Sequence, residues 1–131
     1  MLFRSSITGR TVMRSHWERP SAGLSASNSP YAPTMIRAGA RGMIGKGARL
    51  PEVVEAMKEC DGVYFGAIGG AGALLAKCIK SAELIAYEDL GAEALRRLYV
   101  QDMPLVVIID CEGNNLYESG RAAYLSKRSR K

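Results

Sequence analysis

Residues Gly39–Ile79, GARGMIGKGARLPEVVEAMKECDGVYFGAIGGAGALLAKCI, decide the fold. Met43 and Ile44 form a short apolar run that Gly45-Lys46-Gly47 interrupts with one cation between two glycines. Pro51 can open a helix, because its missing N–H costs nothing in a first turn. Behind it Val53, Val54 and Met57 recur at helical spacing, while Glu52, Glu55, Lys58 and Glu59 fill the other face. Val63 to Ile68 is short and apolar, as a buried strand is. The Gly69-Gly70-Ala71-Gly72 turn then leads into Ala73, Leu74, Leu75, Ala76 and Ile79, small and apolar enough to lie closely on a sheet. Strand, helix, strand, glycine turn, helix is the order of an α/β domain. It predicts parallel neighbours, and hence a mostly parallel central sheet with flanking helices.

Working outward, Pro33 fits a first helical turn, Met35 and Ile36 face a core, and Gly39 ends that short helix. Downstream, Ser81–Tyr87 alternates as a strand does, and Gly91–Leu98 reads as a short helix with Leu95 and Leu98 inward and Arg96 and Arg97 outward. Met103 and Pro104 mark a turn, and Leu105–Ile109 is a buried strand. Glu112-Gly113-Asn114-Asn115 reads as a hairpin-type connector. Three segments result: an irregular Arg/Ser-rich arm over 1–30, an α/β domain over 31–119, and a basic tail over 120–131 that is disordered or a frayed helix.

The 131 residues suffice for one core, and 47% apolar with 24% charged side chains fits a globular chain. No run approaches the ~18–20 apolar residues that span a bilayer as a helix. The net charge of +5 is unevenly placed. Residues 36–120 hold nine basic and twelve acidic side chains, so the excess sits at the two ends, with all five charges of 121–131 positive. A nucleic-acid binder carries its cations on the folded surface beside aromatics or a known motif, and that pattern is missing. The first 30 residues have seven serines, four arginines and one acid, the composition of a mitochondrial-type transit peptide or of a weakly ordered arm. His16 and Trp17 stand in it without partner residues. Cys60, Cys78 and Cys111 are too few and too widely spaced for a disulfide framework or a self-contained metal site, and read as reduced thiols.

Gly45-Lys46-Gly47 is not a P-loop: Ala40 stands where the first glycine belongs and Gly47 where a Ser or Thr should hold Mg²⁺. What the spacing leaves open is either an anion-binding lysine at the carboxyl end of a buried strand or a surface lysine in a turn. The glycines of Gly66–Gly72 contain no GxGxxG and point to close helix–strand packing, or to backbone approach by a ligand or partner chain. Glu88 and Asp89 fit a helix start near Gly91 better than a catalytic carboxylate pair.

Longer strings carry a resemblance. GMIGKGARLPEVVEAMK, VYFGAIGGAGALLAKCIKSAELIAYEDLG and VVIIDCEGNNLYE resemble the C-terminal part of the β subunit of iron–sulfur (class I) fumarate hydratase, a family that includes L-tartrate dehydratase. The resemblance covers about residues 31–118. It implies a swivelling β/α domain that closes over an α subunit, here truncated on its N-terminal side. It implies a [4Fe–4S] cluster held by that α subunit and not by this chain, and water added to or removed from a small dicarboxylate. It also implies that Lys46, on the GKG motif, binds a substrate carboxylate. The family's GPTTSGRMD-like segment is replaced by SAGLSASNSPY; counted back from Tyr31, its Arg falls on Ser27 and its two Thr on Gly23 and Leu24. The resemblance thus implies a hydro-lyase β part, inactive alone and cytoplasmic, or mitochondrial if 1–30 is a transit peptide. The alternative is a non-catalytic binding module that keeps the fold and the partner surface.

Overall fold

The computed structural model describes the backbone of residues 4–14 and residues 30–67, 70 and 72–129. In chain order the elements are β1 (Arg4–Arg14), α1 (Ala32–Arg37), β2 (Gly42–Gly45), α2 (Pro51–Glu59), β3 (Val63–Gly66), α3 (Gly72–Cys78), β4 (Ile79–Ala86), a 3₁₀ segment (Glu88–Glu93), β5 (Leu95–Ile109) and α4 (Leu116–Arg128). They fall into two compact units. Among the described residues, the first holds 30–67 and 106–129, and the second holds 4–14, 70 and 72–105.

The first unit follows the predicted strand–helix–strand order. Pro51 sits in the first turn of α2, and Val53, Ala56 and Met57, three and four positions apart, are fully buried on one face. They pack with Ile36 of α1, Tyr64 of β3, and Ile108 and Ile109 of β5 into one cluster. Burying each of the larger side chains stabilises the fold by about 1.5–3 kcal/mol. On the surface, Arg37 donates through Nε and Nη2 to Glu59 at 3.0 and 2.8 Å, joining the ends of α1 and α2. Both side chains are about half exposed, so the pair adds ~1 kcal/mol at most.

β2 and β3 run parallel, with Gly42 opposite Val63 and Gly45 opposite Gly66. β3 then pairs antiparallel with the end of β5, Phe65 facing Val107 and Gly66 facing Val106. At Gly66 a Cβ would stand 2.6 Å from Ile108 Cγ1, so this glycine serves close packing within the unit. Gly69 and Ala71 of the same cluster lie outside the described residues.

Of the two readings of the basic tail, a disordered end or a frayed helix, the structure has the helix: Leu116–Arg128 is a 13-residue helix, α4, with no buried residue. Local polar geometry starts it. Asp110 accepts from the backbone N–H groups of Glu112 and Asn114 and from the Asn114 side chain, at 2.9–3.0 Å. Asn115 then caps the helix by accepting from the Tyr117 N–H at 3.1 Å. Glu118 in the first turn and Lys127 and Arg128 in the last complement the helix dipole. The connector 112–115 is therefore mainly a helix start, although Ile109 and Asn115 still form one antiparallel bridge.

The second unit is built from strands where the sequence suggested helix and turn. β4 pairs antiparallel with the front of β5, Glu83 opposite Arg97 and Ala82 opposite Leu98. Gly91–Leu98 is not a helix: the 3₁₀ segment ends at Glu93 and β5 begins at Leu95. Leu98 and Val100 are buried while Arg97, Tyr99 and Gln101 are exposed, the period of a strand. Met103 and Pro104 form no turn but lie within β5. Pro104 sits between the partners registered with β4, which end at Val100, and those registered with β3, which begin at Val106. Its missing N–H breaks neither ladder. Asp102, at φ 52°, shifts the alternation by one residue, so that Met103 and Leu105 become the buried positions.

Two further expectations change. Arg4–Arg14, expected in an irregular arm, form β1, a neighbour of β5. The sheet is not mostly parallel: β2 with β3 is the parallel pair, and β3 with β5 and β4 with β5 are antiparallel. The chain returns along β5 directly from the 3₁₀ turn, with no crossover helix, and so reverses direction.

Candidate functional site

Lys46 stands one residue beyond the carboxyl end of β2. Parallel pairing brings the carboxyl ends of β2 and β3 together, and the ladder continues past them as the Ala67 N–H donates to the Gly45 carbonyl at 2.9 Å. Ligands of α/β sheets bind at this end. Lys46 is exposed, and Gly47 follows at φ 87°, a left-handed conformation in which a side chain would be strained. The sequence Gly-Lys-Gly thus turns the chain sharply and leaves the lysine on the surface of the turn.

Two residues that sequence reasoning did not assign build the floor of this turn. Tyr64, from the middle of β3, is fully buried, and its phenol donates to the Gly47 carbonyl at 3.1 Å. The Arg49 guanidinium lies over the Tyr64 ring, 4.2 Å from its centre. Burial pushes the Tyr64 phenol up to about 12, against the opposing pull of Arg49 and with a smaller push from Tyr117. The hydroxyl therefore stays protonated and keeps donating across the working range of pH. Tyr64 could have been suspected, since a tyrosine inside a buried strand needs a polar partner for its hydroxyl. Arg49 had no comparable signal.

Among the remaining candidates, Ser27, Gly23 and Leu24, with His16 and Trp17, lie outside the described residues. Glu88 and Asp89 are exposed in the first turn of the 3₁₀ segment, whose preceding residue, Tyr87, makes no side-chain cap. The three cysteines are free thiols. Cys78 is buried with its thiol directed at the Leu74 and Asp102 carbonyls, Cys60 is half-buried after α2, and Cys111 is exposed. No three of the described His, Cys, Asp and Glu residues gather closely enough to hold a metal ion. No helix among the described residues is long and apolar enough to cross a membrane.

Comparison with known proteins decides the lineage. The model of the fumarase C-terminus family matches residues 17–120. The chain belongs to that family. The match begins ahead of the 31–118 stretch in which the resemblance was legible. A protein named "Putative fumarate hydratase class I" from Geobacillus stearothermophilus is 37% identical over 118 residues, covering 87% of this chain and 23% of the relative. The aerobic class I fumarate hydratase of Escherichia coli K12 is 40% identical over 77 residues, 58% of this chain and 14% of the relative. A "Putative L(+)-tartrate dehydratase subunit beta" from Methanocaldococcus jannaschii is 35% identical over 79 residues, 58% of this chain and 40% of the relative. The chain thus spans less than a quarter of the two fumarate hydratases, and its relatives in the family are hydro-lyases by name.

Proposed function

We propose that this chain is the carboxylate-binding β part of an iron–sulfur hydro-lyase that adds water to, or removes it from, a small dicarboxylate. The observation that carries the reading is the Lys46 turn: a cation at the joined carboxyl ends of two parallel strands, in a chain of the fumarase C-terminus family. The [4Fe–4S] cluster, which acts as Lewis acid, belongs to an α part outside these residues. Lys46 holds one substrate carboxylate and so fixes the substrate's orientation. An ammonium–carboxylate contact is worth roughly 1.5–3 kcal/mol, and removing it costs tenfold to a few hundredfold in affinity.

The test is reconstitution with a cluster-loaded α part. Lys46→Met keeps most of the aliphatic stem and removes the charge. With fumarate or tartrate as substrate, the expected result is a large fall in turnover at unchanged thermal stability. Full activity in the Lys46→Met chain would contradict the assignment. A chain that binds the α part but never turns over would instead be a non-catalytic binding module.

A further inference from the structure

We infer that Tyr64 and Arg49 are positioning residues for Lys46: they clamp the Gly45–Gly47 turn from beneath, so that the lysine is presented to an anionic ligand in one fixed geometry. The inference rests on the carboxylate-binding reading of Lys46 and adds to it the parts that hold the turn. Three contacts converge on it. Tyr64 donates to the carbonyl of Gly47, the residue directly after the lysine, at 3.1 Å. Arg49 stacks on the same tyrosine at 4.2 Å. On the other side of the lysine, Gly45 leaves the space this stack occupies: a Cβ there would lie 3.1 Å from Arg49 Nη2 and 3.6 Å from the Tyr64 hydroxyl. The two glycines that flank Lys46 therefore do different things. Gly47 supplies the left-handed turn, and Gly45 admits the clamp.

The clamp matters because a turn of this kind is otherwise free to move. A flexible lysine must lose that freedom when it binds, which weakens the contact; a turn already held does not pay the cost again. Tyr64 is suited to the role because its ring belongs to the core cluster of Met57, Val53 and Ile109 while its hydroxyl reaches the turn. Burial also keeps that hydroxyl protonated, so the bond to Gly47 persists at alkaline pH.

The experiment uses the full chain labelled with ¹⁵N. Backbone order parameters are measured through Gly45–Ala48, and affinity is read by titration with succinate, a non-reacting dicarboxylate. Tyr64→Phe removes one oxygen and leaves the ring for Arg49. Gly45→Ala, a second variant outside the core, crowds the stack from the opposite side. The order parameters of the turn should start near ~0.85 and fall toward ~0.6 in both variants. Succinate affinity should drop about threefold to tenfold in Tyr64→Phe, the range for one lost neutral hydrogen bond. The core should keep its dispersed resonances with only small shifts beside Tyr64, which a general loss of structure would not allow. Unchanged order parameters in both variants overturn the clamp. A loosened turn with unchanged succinate affinity overturns its role in presenting Lys46. If the unmodified chain binds no succinate while Tyr64→Phe still loosens the turn, the clamp stands and the dicarboxylate reading falls.

Discussion

Met57 in α2 and Leu84 in β4 are both large apolar side chains, yet one is fully buried and the other 42% exposed. The contrast extends to their surroundings. In the first unit α1 and α2 join β3 and β5 in a single apolar cluster. In the second, most of β4 is open to solvent, and Leu84, Ile85 and Tyr87 are all exposed. A strand covered by a helix gains its stability from packing. A strand held mainly by its neighbour depends on the hydrogen-bonded ladder and on cross-strand pairs such as Glu83 with Arg97, 3.2 Å apart. The candidate site rests on the first kind of support. On the proposed reading, a lysine that meets a carboxylate is better placed over a packed floor than on an exposed ribbon.

Substitution can break this comparison directly. Met57→Ala should destabilise the protein by about 2–5 kcal/mol, through lost burial and the cavity left in the cluster. Leu84→Ala should cost less than about 1 kcal/mol. Denaturant unfolding of the two variants checks both figures, and equal losses would remove the distinction between the regions. Gly66→Ala probes the same packing from the opposite direction. Its new Cβ meets Ile108 Cγ1 at 2.6 Å and Cδ1 at 2.9 Å, and overpacking of this kind costs about 1–3 kcal/mol. A neutral Gly66→Ala, read by the same unfolding curves, would show that the glycine is not there for close approach.

A smaller effect is expected outside the core. Asn115→Ala removes the side-chain cap of α4, a helix that buries none of its residues, and should cost about 0.5–2 kcal/mol of helix stability. Amide exchange through 117–121 should quicken while exchange in α2 stays as it was. If both helices loosen together, α4 is coupled to the core more strongly than its exposure indicates.

The same division explains what could be read from the sequence. α2 was legible because burial imposes a period: Val53, Val54 and Met57 recur at helical spacing, Val53 and Met57 fully buried and Val54 half-buried, and Pro51 marks the start. Gly91–Leu98 was misread because Leu95 and Leu98 are also three apart. The alternation that identifies β5 becomes visible only once Val100 and the phase shift at Asp102 are included. Met103-Pro104 has the form of a turn, yet both residues lie within β5. The parallel pairing of β2 with β3 followed from strand–helix–strand order, but the antiparallel return of β5 along β4 depends on a short connection with a 3₁₀ segment and no α-helix, which no local pattern announces. α4 was hidden for a related reason. It has no buried face, so its signal lies in Asp110, Asn114 and Asn115, which also suit a hairpin. At the site, Lys46 stood out as a charge between two glycines. The Tyr64 bond to Gly47 spans 17 residues, and nothing in the spacing reveals it.

The central claim is that Lys46, on its clamped turn, receives a carboxylate. The direct measurement is an NMR titration of the labelled chain with fumarate, repeated with Lys46→Met. The account predicts saturable shifts centred on Gly45, Lys46 and Gly47, reduced tenfold or more in affinity by the substitution. Shifts centred elsewhere, or a Lys46→Met chain that binds fumarate as tightly as the original, would contradict it.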